Sequence, residues 1–137
     1  MLQPGTLLAQ VASASSAGGL HRAVGWYVVG SMALLGAWAL ILAMLKTTPG
    51  RAYWVAFGVG VTGVLAQVGM GTWALSVDDV DPGNQHVFYG IVSVFTLAFA
   101  YIYRLHLAQR PALSYAILCL FLMGLWIRAI GNFGQSF

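Results

Sequence analysis

Two of the three histidines in this 137-residue chain open long apolar stretches, His21 one and His86 another. Imidazole is a donor, an acceptor and a metal ligand, so two of them brought to one place can hold a metal ion or a haem iron. Each is followed four residues later by a glycine, Gly25 after His21 and Gly90 after His86. On a helix that spacing puts the glycine one turn away on the same face, where a missing side chain leaves room for a flat ring beneath the ligands. Arg22 adjoins His21, and Arg128 stands near the end of the last apolar stretch. A guanidinium binds carboxylates through two parallel hydrogen bonds, which suits the propionates of a haem. For Arg128 the competing expectation is a stem lying along apolar surface with its head among lipid headgroups, or pairing with Asp78, Asp79 or Asp81.

The histidines also have a plainer expectation, as hydrogen-bonded amphipathic rings at a membrane boundary. A further alternative is a metal site made of His21, His86 and one loop aspartate, a mixed nitrogen and oxygen set that suits zinc or copper. His106 lies between Arg104 and Arg110, toward the opposite surface, and cannot join them. No residue is assigned a catalytic role: apart from the histidines and Arg128, no acid or base approaches the apolar stretches, and acid–base chemistry needs positioned groups. No phosphate loop, nucleophile elbow or zinc-protease motif occurs. Asp78-Asp79-Val80-Asp81 lacks the closing glutamate of a calcium loop and reads as a solvated turn.

What must position these groups is set by composition. The chain is 60% apolar and 7% charged, with six basic and three acidic residues, against about 45–50% and about 25% in soluble domains. Residues 23–45, 53–77, 87–103 and 112–130 approach or exceed the roughly 20 apolar residues that a hydrocarbon core requires. The expected fold is therefore all-α, an integral membrane bundle of four helices running up and down. A net charge of +3 carried by a few flanking bases gives no reason to expect nucleic acid as a partner; the lipid bilayer is the expected one. Lys46, Arg51, Arg104 and Arg110 fall in the first and third connections, and Arg22 and Arg128 on the other side. By the positive-inside rule both ends of the chain face outward from a bacterial inner membrane.

Three regions follow: residues 1–20 as a tail or surface helix, 21–131 as the transmembrane unit, and 132–137 as a C-terminal tail. Leu7, Leu8 and Val11 before Ala12-Ser13-Ala14 resemble a secretory signal, but no basic residue precedes Arg22. Pro49-Gly50 breaks the first hairpin, Asp81-Pro82-Gly83-Asn84 makes the outer turn, and Pro111 starts the last helix. Trp26, Tyr27, Tyr53, Trp54, Trp73, Tyr101 and Tyr103 lie near segment ends, where amphipathic rings favour the headgroup region. Helices in lipid associate through small residues. The expected inner stripes are thus His21, Gly25, Val29, Met32 and Gly36; Gly60, Gly63, Gln67 and Gly71; His86, Gly90, Ser93 and Ala100; and Ser114, Gly124, Arg128 and Gly131. Gln67 is expected to make an interhelical hydrogen bond or a ligand contact, and Cys119 to be an inert packing thiol.

In an antiparallel four-helix bundle the first and third long helices are diagonal, with axes roughly 11–14 Å apart, a span two inward imidazoles can bridge to one haem iron. In outline the chain resembles small four-helix membrane b-haem proteins and one half of haem A synthase. That resemblance implies His21 and His86 as axial ligands over residues 20 to 131; the absence of any glutamate departs from the acid-and-histidine pattern of the synthase. His86-Val87-Phe88-Tyr89-Gly90 and Met123-Gly124-Leu125-Trp126-Ile127-Arg128 also resemble fixed points of a small bacterial membrane family of no assigned activity. The leading functional expectation is a non-catalytic accessory subunit or assembly factor beside a larger membrane protein, or a homo-oligomer. The alternatives are a bis-histidine haem b protein for electron transfer or haem handling, and a small transporter or channel component.

Overall fold

The four apolar stretches become helices because nothing in them interrupts backbone hydrogen bonding, and proline marks the start of the first and the last helix. A computed structural model describes residues 3–77 and 81–137, without the side chains of 7–17; Asp78 and Asp79, considered above as ligands or ion-pair partners, lie outside the described residues. The elements are α1 (Pro4–Met44), α2 (Arg51–Val77), α3 (Asn84–Ile102), the single turn α4 (Arg104–Leu107) and α5 (Pro111–Gly131). Among the described residues the protein is all-α, and four helices, 19 to 27 residues in their apolar parts, are long and apolar enough to cross a membrane.

Proline occupies the first turn of α1 and of α5, where its missing N–H is no loss. α1 runs on from Pro4 without a break at residue 20. It ends before Pro49-Gly50, at Lys46, which takes the left-handed conformation at φ 55°. The Lys46 N–H donates to the Ala43 carbonyl and the Thr47 N–H to that of Leu42, at 3.1 and 2.9 Å. This is the paired closure of a Schellman turn, made with lysine where glycine is usual.

Packing is sequential in space but not in sequence. α1 lies between α2 and α5, α5 lies between α1 and α3, and α2 touches α3 only briefly. Among the described residues α1 and α3 make no backbone contact. α1 runs opposite in direction to α5 and to α2 at these contacts: Gly36 meets Leu120 and Gly25 meets Ile130, while Gly60 meets Leu35 and Gly71 meets His21. The approaches are close because the glycines lack side chains; a Cβ on Gly36 would stand 2.7 Å from Leu120, and one on Gly60 2.8 Å from Leu35.

The expected stripes on α1 and α2 match the buried faces in most positions, with Val28 rather than Val29 fully enclosed. On α5 the expectation fails. Its inner face is Ala112, Ala116, Cys119, Leu122, Trp126 and Ala129, whereas Arg128 and Gly131 are exposed. Alanine and cysteine supply the small surface there. A Cβ placed on Gly124 or Gly131, the glycines that suggested another face, would have no neighbour within 4 Å. Tyr53 is a second correction. Instead of reaching the headgroups it is fully buried, edge-on to Trp38 at 5.4 Å and 3.8 Å from the Cys119 sulfur through its hydroxyl. Cys119 is itself buried, as a packing thiol would be.

Candidate functional site: a histidine pair at one end of the helices

His21 and His86 come together. Their ring centroids lie 5.8 Å apart with the planes at 73°, an edge-to-face contact between two helices that otherwise do not meet. Each ring is seated by a different neighbour. On the α1 side, Gln67 of α2 donates from Nε2 to the His21 carbonyl at 2.8 Å, the interhelical bond expected of a buried amide. The same amide fills the space over Gly25, 3.0 Å from where a Cβ would stand. Gly71, one turn further along α2, faces the ring, and a Cβ there would lie 2.9 Å from His21 Cε1.

On the α3 side, His86 Nδ1 lies 2.7 Å from the Ala129 carbonyl of α5. A carbonyl only accepts, so the neutral ring carries its proton on Nδ1 and leaves Nε2 with a free lone pair. That is the tautomer of a metal-ligating imidazole whose far nitrogen is held by a backbone carbonyl. Phe133, just beyond α5, meets the His86 ring edge-to-face at 5.3 Å.

The other expected site residues separate into two groups. Gly25 is buried, but its vacancy is occupied by Gln67 and approached by Ile130. Gly90, on the face of His86, has no atom within 4 Å of a Cβ position. Arg22 and Arg128 are both exposed. For a metal ion, no third histidine, cysteine, aspartate or glutamate joins the pair among the described residues, and the Asp81 carboxylate accepts the Gly83 N–H within its own turn at 2.8 Å.

Three buried polar atoms are without a partner among the described residues: His21 Nδ1, Gln67 Oε1 and Trp126 Nε1. Unpaired polar groups inside a protein cost about 1–3 kcal/mol each, and these three lie on α1, α2 and α5. Trp126, Ala129 and Phe133 were missed by sequence reasoning. The three-residue step from Trp126 to Ala129 places both on one helix face, but only the packing of α5 shows that this face turns inward. A groove of about 740 Å³ passes Val24, Tyr27, Gly63 and Met70 on α1 and α2 and is lined by neither histidine. No family model, curated protein or solved structure matches this chain.

Proposed function

We propose that the chain is an up-and-down four-helix bundle of a bacterial inner membrane, both ends outward, in which His21 and His86 together ligate one metal centre, a b-type haem. The observation that carries this reading is the distance between the rings. Imidazole nitrogens bind metals at about 2.0–2.1 Å, so two rings that each held one ion through a nitrogen would have centroids up to about 6 Å apart. The pair stands at 5.8 Å. In the edge-to-face contact one ring presents its face, so holding one ion would require that ring to turn about its side-chain bonds. His86 Nε2 is available, and the buried His21 Nδ1 has no protein partner. A macrocycle also needs lateral room, which the open space at Gly90 and the loosely joined α2 and α3 favour. Haem bound there would exchange one electron between ferrous and ferric iron.

Difference spectra of the detergent-purified protein, reduced against oxidised, test this. A b-type band that disappears in both His21→Ala and His86→Ala is expected. Colourless protein from haem-replete cells would overturn the reading.

A second reading, an accessory subunit of a larger membrane complex, is favoured by α3. Only Ser93 of that helix is buried, while Val87, Phe88, Ile91, Phe95, Phe99 and Ile102 form an exposed apolar surface. Recovery of a larger partner with the protein in mild detergent would support it, and a lone monodisperse species would count against it. The transport reading draws on Gln67 alone, whose amide nitrogen is committed to the His21 carbonyl while its oxygen has no partner among the described residues.

A further inference from the structure

We infer that the segment Asn132–Phe137 is a clasp over the histidine pair, and that Phe133 is a positioning residue for His86. This rests on the reading of that pair as the functional site. Helix α3 begins after Gly83 with no side-chain cap, although the first turn of any helix leaves its N–H groups unpaired. The segment following α5 supplies what is missing. The Gln85 N–H donates to the Gln135 carbonyl at 3.2 Å, and the Gln85 side chain donates from Nε2 to the Ser136 carbonyl at 3.1 Å. In return the Gly134 N–H donates to the Pro82 carbonyl at 2.7 Å and the Phe137 N–H to Asn84 Oδ1 at 3.0 Å. Phe137 also packs edge-on against Phe88 at 5.6 Å.

Gly83 makes the clasp possible twice over. Its φ of 75° is a conformation L side chains rarely adopt, and a Cβ there would collide with the Gln135 backbone, 2.6 Å from its nitrogen. Between these anchor points the chain brings Phe133 against His86. The His86 ring is therefore held by the Ala129 carbonyl, by Phe133 and by His21, and two of these three come from α5 and its continuation. Phe133 is half-exposed, so the cover is one side chain thick on the aqueous side. Opening it uncovers His86 without unfolding any helix.

The test uses the full chain in mild detergent, expressed under haem limitation so that both imidazoles are free. Wild type is compared with Phe133→Ala, Phe133→Trp and Gly83→Val. One measurement is amide hydrogen exchange over residues 84–90. The other is carbethoxylation of His86 by diethyl pyrocarbonate, with exposed His106 as internal standard. Phe133→Ala and Gly83→Val should each raise both rates about two- to tenfold, the change that one aromatic edge contact carries, with His106 unchanged and Phe133→Trp near wild type. Unchanged His86 reactivity in both variants overturns the inference, even where amide exchange rises, because the segment then only caps a helix. A rise shared by His106 overturns it as well, since that would report general unfolding. Neither measurement uses an absorption band, so a colourless protein would remove the haem reading and leave the clasp to its own result.

Discussion

The Ala129 carbonyl lies 2.7 Å from His86 Nδ1 and accepts a hydrogen bond from its N–H, so a backbone group of α5 fixes the tautomer of a ring on α3. Replacing His86 by Ala leaves that carbonyl at the end of α5 without its partner. We expect His86→Ala to lose about 1–3 kcal/mol of stability, the cost of an unpaired buried polar group, and His86→Asn, which retains a donor, to lose less. Thermal unfolding in detergent of haem-free protein would measure both. Equal losses would show that the hydrogen bond is not the cause.

Two glycines of α2 separate packing from propensity. Gly69 has nothing within 4 Å of a Cβ position, whereas Gly71 faces the His21 ring. Gly69→Ala should be neutral or stabilise by up to about 1 kcal/mol through helix propensity. Gly71→Ala should destabilise by about 1–3 kcal/mol through overpacking and weaken any ligand held by His21. Similar effects from the two substitutions would argue against the seat described for that ring.

Lys46 holds a left-handed turn that costs an L-residue about 1–2 kcal/mol. Lys46→Gly removes that strain while keeping the two turn hydrogen bonds, and should raise stability by about 1 kcal/mol. The midpoint of thermal unfolding is the readout, and a lower midpoint would contradict the assignment of the turn.

Cys119 is enclosed and faces the Tyr53 hydroxyl. A maleimide reagent should leave it unmodified in native detergent-solubilised protein and label it fully after denaturation, as expected of a buried thiol. Rapid native labelling would mean that α2 and α5 are not packed as described.

Helix positions were readable because length and apolarity are written into the sequence, and so was the proline start of α5; the start of α1 at Pro4 was not, because it falls in the stretch expected to be a tail or a separate surface helix. The stop of α1 was legible in part: Pro49-Gly50 marked the hairpin, but the turn itself falls on a lysine. That His21 and His86 would lie at one surface was expected from helix count, since an even number of spans separates them; their edge-to-face contact was not. Their surroundings were not legible. A step of four pointed to Gly25 as empty space, yet Gln67 occupies it from another helix; such cross-helix filling depends on rotation about the helix axis, which small residues on several faces of one helix leave undetermined. Tyr53 misled for a related reason. A tyrosine near a segment end reads as an interfacial anchor, but here Cys119 offers its hydroxyl a weak partner inside.

The order of contacts, α2 against α1, α1 against α5, α5 against α3, bears on how the molecule is made. A ribosome delivers α3 before α5, so the third long helix is finished while almost all of its eventual neighbour is still untranslated. It waits with only a brief contact to α2 until α5 arrives, and only then can His86 find the carbonyl that orients it. Arrival of α5 and the seating of His86 are thus one event.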